Sequence, residues 1–186
     1  MMKVMLVPGN GNADMSEIWY PWIVKEIGEL GLEIVAKNMP DADLARKEFW
    51  LPFIQKHVDE NSILIGHSSG AVAALRYAET HKLQGIVLVS ACHTDLGDER
   101  EKISGYFNYP WQWNKIKQNV KWIIQFHSLN DPFISIEEAR HVHKMLNTEY
   151  HEYLDQGHFS SDVGKTEFPE LLDTLKRKLV NKNKEI

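Results

Sequence analysis

Ser62-Ile63-Leu64-Ile65 runs straight into Gly66-His67-Ser68-Ser69-Gly70, and the Ala-rich stretch Ala71 to His81 follows. A short apolar run, a Gly-x-Ser-x-Gly turn and a good helix former, in that order, read as strand, tight turn and helix. On such a turn the flanking positions two before and two after the serine are pressed against adjacent backbone, which is why only glycine fits there. The serine hydroxyl then projects above the C-terminal edge of a sheet. There a helix N-terminus, through its dipole and free N–H groups, favours developing negative charge. The same letters could be a Gly/Ser turn that only caps a helix. The strand in front and the helix behind favour a nucleophile elbow with Ser68 at its tip.

The rest of the chain repeats the strand-helix rhythm. Lys3 to Val7 is an apolar run that ends in Pro8-Gly9-Asn10-Gly11. A helix should follow, capped by Asp14 or Ser16, with Trp19, Ile23, Ile27 and Leu30 on one face and Gly31 as its stop. Glu33 to Lys37 is a second strand. Asp43 to Val58 reads as helix, with Pro52 expected to kink or restart it. Gly85 to Ser90 has the β-branched bias of a buried parallel strand. Lys121 to Phe126 and Glu149 to Leu154 are further strands, Ile136 to Leu146 and Phe168 to about Val180 further helices, and a lysine-rich tail ends the chain.

This alternation predicts an α/β fold. It is a three-layer sandwich with a mostly parallel central sheet of about six strands and helices on both faces. Residues 1–186 read as one domain. Only 91–119 breaks the rhythm. With Gly97, Gly105, Pro110 and the aromatics Tyr106, Phe107, Tyr109, Trp111 and Trp113, it looks like a small excursion over the active site.

Composition sets limits on function. The chain has 186 residues, 43% hydrophobic and 25% charged, which suits a soluble globular domain and excludes a disordered or collagen-like one. Lys and Arg number 21 against 26 Asp and Glu, a net charge of -5 with no basic tract, so neither nucleic acid nor membrane is expected as a partner. The single cysteine, Cys92, cannot form an internal disulfide. With no signal-peptide core and no membrane span in the letters, a cytoplasmic location is expected.

A serine nucleophile needs a base, and the base an orienting carboxylate. On this fold they follow in the order Ser, acid, His. His158, in the turn Asp155-Gln156-Gly157-His158 after a late strand, is the candidate base. His127 is weaker, because no later carboxylate-then-His order would remain. His67 should pack beneath the elbow. Asp131, in Asn130-Asp131-Pro132, is the preferred acid, since Pro132 biases it away from the α region; Asp155, Asp95 and Asp98 are alternatives. An oxyanion hole takes two backbone donors, here the N–H groups of Ser69 and Asn10. The Pro8-Gly9-Asn10-Gly11 loop lacks the lysine of a phosphate-binding loop and does not match G-x-G-x-x-G, so no nucleotide is expected.

His141 and His143 are two apart on a helix and make a poor metal pair, so no metal or other cofactor is expected. Lys176-Arg177-Lys178 suits a helix C-terminus. Trp111 and Trp113 are candidates for an apolar substrate pocket, with packing of the excursion itself as the equal alternative.

The chain also resembles a known family. Val7-Pro8-Gly9-Asn10-Gly11, Lys37-Asn38-Met39-Pro40-Asp41, Trp50-Leu51-Pro52-Phe53, Gly66-His67-Ser68-Ser69-Gly70, Ser104-Gly105-Tyr106-Phe107, Pro110-Trp111-Gln112-Trp113 and Gly157-His158-Phe159 look like the retinoblastoma-binding protein 9 family of serine hydrolases. The resemblance runs nearly end to end, short of the C-terminal tail. It implies a compact α/β-hydrolase fold, with the family's nucleophile, acid and base falling on Ser68, Asp131 and His158. The family's Leu-x-Cys-x-Glu segment corresponds here to Lys56-His57-Val58-Asp59-Glu60, without the Leu and the Cys. Retinoblastoma binding is therefore not transferred.

The resulting expectation is a serine hydrolase that cleaves a small-molecule ester or amide through an acyl-enzyme on Ser68, with an apolar, aromatic or amino-acyl group. The alternative is a catalytically silent binding or scaffold protein on the same fold. An acyltransferase would carry the same elbow.

Overall fold

A computed structural model describes residues 2–182; the end of the lysine-rich tail lies outside the described residues. Six strands form one sheet: β1 (Lys3–Val7), β2 (Glu33–Ala36), β3 (Ile63–His67), β4 (Gly85–Val89), β5 (Ile123–Ser128) and β6 (Glu149–Tyr153). Their order is β2-β1-β3-β4-β5-β6, and every neighbouring pair is parallel. The helices are α1 (Tyr20–Glu29), α2 (Lys47–His57), α3 (Ser69–Ala78), α4 (Glu99–Ser104), α5 (Trp113–Asn119), α6 (Ile136–Leu146) and α7 (Pro169–Lys182).

Strand side chains alternate in direction, so each central strand feeds two cores. Val4, Leu6, Ile63, Ile65, Val87 and Val89 pack with Ile23 and Ile27 of α1 and Leu171 and Leu175 of α7. Met5, Val7, Leu64, Ile86 and Leu88 pack on the other face with Trp50 of α2, the alanines of α3, Ile116 of α5 and Val142 of α6. Three layers result.

Chain order and sheet order then place the site. From β1 the chain moves outward to β2 through α1 on one face; from β3 it moves the other way through α3 on the opposite face. The strand order therefore reverses between β1 and β3, and the crevice at their C-terminal ends is where open α/β sheets bind ligands. Val7 pairs with Gly66, which sets the 8–12 loop beside the elbow.

Local details differ from the sequence reading. Helix α1 is not capped by Asp14 or Ser16: the Asp14 carboxylate accepts from Ser16 N at 2.8 Å and Asn38 Nδ2 at 2.6 Å, which ties it into a turn. The helix begins at Tyr20, with Pro21 in its first turn. Leu30, expected on the buried face, is exposed. Helix α2 starts only at Lys47, after a turn closed by Asp41 and Arg46, and continues through Pro52 without a restart. It is pinned there by Trp50, fully buried, whose Nε1 donates to Pro40 O at 2.7 Å. Arg177 and Lys178 reach across to Glu149 on β6, at 3.1 and 2.7 Å.

Candidate active site

Ser68 sits between β3 and α3 with φ 56° and ψ -122°, a region a non-glycine residue rarely occupies. Such a backbone costs on the order of 1–3 kcal/mol, and it persists only where the surroundings enforce it. Two close approaches do so. A Cβ on Gly66 would lie 2.4 Å from Gly70 O, and one on Gly70 would lie 2.2 Å from Val7 O and 2.4 Å from Pro8 O. Both glycines are thus pressed against backbone, and Ser68 N donates to Val89 O at 2.9 Å.

Asp131 follows β5 and its side chain is fully buried. Its Oδ2 lies 2.8 Å from His158 Nδ1 and accepts the Ser90 hydroxyl at 2.9 Å, while its Oδ1 accepts from Phe133 N and Ile134 N at 3.0 Å each. Burial pushes this carboxyl upward, but the hydrogen bond and charge of His158 and the two backbone donors outweigh it and hold the group below its ordinary value. His127 is buried nearby, 4.0 Å from Asp131, and binds Ile134 O instead.

His158 is fixed through its own backbone. Its N–H donates to Asp162 Oδ2 at 2.8 Å. Its carbonyl accepts from His67 Nε2 at 2.8 Å, and the next carbonyl, Phe159 O, accepts from Trp19 Nε1 at 2.8 Å. The far side of His67, Nδ1, accepts from the Tyr20 hydroxyl at 2.7 Å. His67 is therefore a buried neutral imidazole joining α1 to the His158 loop; burial, and then the neighbouring His158, push its pKa down to about 3.

Ser68, Ser69, Asn10 and His158 line one cavity of about 570 Å³, together with apolar Ile18, Leu96, Phe133 and Ile134 and acidic Glu17, Asp98 and Glu101. Gly9 lets the 8–12 loop approach closely: a Cβ there would be 3.4 Å from Ser68 Cβ. The structure thus brings Ser68, Asp131, His158, Asn10 and Ser69 to one place.

Trp111 and Trp113 are elsewhere, which corrects the expected pocket. They stack at 4.9 Å and do not line the cavity. The Trp111 ring lies 3.6 Å from the buried Arg76 guanidinium, which also faces Tyr109 at 4.0 Å, pairs with Glu79 at 2.7 Å and donates to Tyr109 O at 2.9 Å. This charge needs partners in the core, and the aromatics supply them. It is the earlier part of 91–119, with Leu96, Asp98, Arg100 and Glu101, that borders the cavity. Sequence reasoning misses Ser90, Tyr20 and Glu101 because their partners lie tens of residues away, and it misses Asp162, only four residues from His158, because an isolated Asp in a turn carries no signal of a bond to that backbone.

Comparison with known proteins places the chain in a family. A family model described as Serine hydrolase matches residues 4–177. Serine hydrolase RBBP9 of Rattus norvegicus is 48% identical over 181 residues, covering 95% of each chain. The solved structure of the ydeN gene product of B. subtilis superposes with a TM-score of 0.87 at 26% identity, covering 97% of this chain and 100% of that one. Alpha/beta hydrolase domain-containing protein 10 from mouse shares the fold at 15% identity, with a TM-score of 0.69 over 97% of this chain and 90% of its own. The chain belongs to the serine hydrolase family.

Proposed function

We propose that the protein hydrolyses small esters or amides by acyl transfer to Ser68. The observation that carries this reading is the 2.8 Å pairing of His158 Nδ1 with the buried Asp131 carboxylate, beside a serine held on a strained elbow in the same cavity. His158 Nε2 takes the proton from Ser68 Oγ as that oxygen attacks the substrate carbonyl. Asp131 fixes the tautomer with the proton on Nδ1 and stabilises the imidazolium. The backbone N–H groups of Asn10 and Ser69 hold the oxyanion. Collapse of the adduct breaks the bond to the alcohol or amine, which leaves with the proton from His158. Water, activated by the same imidazole, then attacks the acyl-enzyme, releasing the acid and restoring Ser68.

Phe133, Ile18, Leu96 and Ile134 favour an apolar or aromatic acyl group of modest size. Among the described residues no helix is long and apolar enough to cross a membrane. The buried thiol of Cys92 fits work in a reducing, cytoplasmic setting. The test is labelling with a fluorophosphonate probe. Wild type should label rapidly, Ser68→Ala and His158→Ala should not; a folded wild type that resists the probe at neutral pH would instead favour the scaffold reading.

A further inference from the structure

Glu101 stands on α4, far in sequence from the elbow, yet one of its carboxylate oxygens touches both sides of the crevice. Oε1 accepts from Asn10 Nδ2 at 2.8 Å and from Ser69 Oγ at 3.2 Å. Asn10 and Ser69 are the two residues whose backbone N–H groups the proposed mechanism aims at the oxyanion. They belong to loops after different strands, β1 and β3, and among the described residues no direct side-chain hydrogen bond joins them. Oε2 is buried without a partner, so the carboxylate spends its bonding on this one bridge. Burial raises its pKa, with the bonds from Ser69 and Asn10 opposing, as expected for a carboxyl taken out of water to serve as an acceptor.

We infer that Glu101 is a positioning residue that sets the separation of the two oxyanion-hole amides. It does so by holding the side chains of Asn10 and Ser69 on a single oxygen. The inference rests on the oxyanion assignment above. Oxyanion donors act through their placement before the charge develops, so a displacement of about 1 Å costs on the order of a hundredfold in rate. A link that fixes two donors relative to each other acts on the transition state more than on substrate binding.

The experiment measures steady-state hydrolysis of p-nitrophenyl acetate and the rate of fluorophosphonate labelling for wild type, E101A, E101Q, the double variant N10A/S69A, and the triple variant. E101A should lower kcat by about 10- to 100-fold with KM changed by less than about twofold, and should slow labelling by a similar factor. E101Q keeps an accepting oxygen and should recover most of the loss. N10A/S69A retains both backbone donors but not the bridge, so it should match E101A. Adding E101A to it should cost less than about a further twofold.

Unchanged kinetics in E101A overturn the inference. So does a loss confined to KM, an E101Q as slow as E101A, or full additivity in the triple variant. If E101A does not fold, N10A/S69A decides, because a normal kcat there overturns the bridge with Glu101 in place. A wild type that neither labels nor hydrolyses overturns the function reading and this inference together. A wild type that labels while E101A behaves normally overturns the inference alone.

Discussion

His158 Nδ1 lies 2.8 Å from Asp131 Oδ2, and that same oxygen accepts the Ser90 hydroxyl at 2.9 Å. The acid is thus not free to turn: with Oδ1 held by Phe133 N and Ile134 N, every strong acceptor direction of the carboxylate is occupied. Such a carboxylate can orient an imidazole without moving when the imidazole becomes charged.

Asp131→Asn keeps this shape but offers His158 an amide. If the amide N–H faces Nδ1, that nitrogen becomes the acceptor and the proton moves to Nε2, the wrong nitrogen for a base. The expected outcome is a loss of about four orders of magnitude in kcat with a near-normal far-ultraviolet spectrum. Steady-state hydrolysis of a p-nitrophenyl ester by the purified variant measures it. A loss of less than tenfold would remove Asp131 from the mechanism.

The elbow glycines should divide stability from activity. Gly70→Ala places its Cβ 2.2 Å from Val7 O, and Gly66→Ala 2.4 Å from Gly70 O, both against backbone that cannot step aside. Each is expected to destabilise the protein by about 3 kcal/mol or more, within the range of severe core overpacking. Gly9→Ala meets nothing closer than Ser68 Cβ at 3.4 Å. It should fold, and lower activity by disturbing the loop beside the nucleophile. Thermal melts and ester hydrolysis of the three variants separate the two effects.

What was legible in the letters, and what was not, follows from range. β1 and β3 are apolar runs that end in Gly-containing breakers, β4 is a β-branched apolar run, and the G-x-S-x-G between strand and helix is a local signal, so sheet and elbow could be read directly. Asp131 and His158 could be reached because each lies in a turn after a strand, where the fold needs them. Tyr20, His67 and Trp19 hold the His158 loop through contacts that span up to 140 residues, and no local pattern records these. For a related reason the sequence leaves Trp111 and Trp113 evenly divided between pocket and packing, where the structure puts them outside the cavity lining. Aromatic content announces that large rings must be covered, but Trp111 is covered by the buried Arg76, in sequence an ordinary helical residue, and Trp113 stacks on Trp111.

The placement of Trp111 away from the cavity gives a contrast between two aromatic sites. Trp111→Leu gives up the contact with Arg76 and the hydrogen bond from Nε1 to His93 O at 2.7 Å. It is expected to cost about 2–3 kcal/mol of stability, with kcat/KM on small esters altered by less than about twofold. Phe133 is 65% exposed, lines the cavity and meets the His158 ring at 5.1 Å. Phe133→Ala should barely move the melting temperature and should raise KM for aromatic acyl esters more than for acetyl esters. Equal KM shifts for both esters would show that Phe133 does not contact the acyl group.

The buried imidazole of His67 gives the fold a pH signature of its own. Its folded pKa of about 3 lies below the ordinary 6.5, so between those values the unfolded chain takes up a proton that the folded chain does not. Stability is therefore highest above about pH 6.5 and falls as the solution is acidified toward pH 3, by up to about 1.4 kcal/mol per pH unit from this group. Asp131 acts in a lower window. Its folded pKa is depressed, so its contribution is present above the ordinary 3.8 and is lost as pH falls through its folded value. His67→Asn retains polar atoms for Tyr20 and the His158 carbonyl but cannot titrate. Urea unfolding at intervals from pH 7 to pH 4.5 should give the wild type a steep decline and the variant a shallower one, the two curves converging toward the acid end. Parallel curves would mean that His67 carries its proton in the folded protein, and the Tyr20–His67–His158 hydrogen-bond chain would then have to run with a donor at both ring nitrogens.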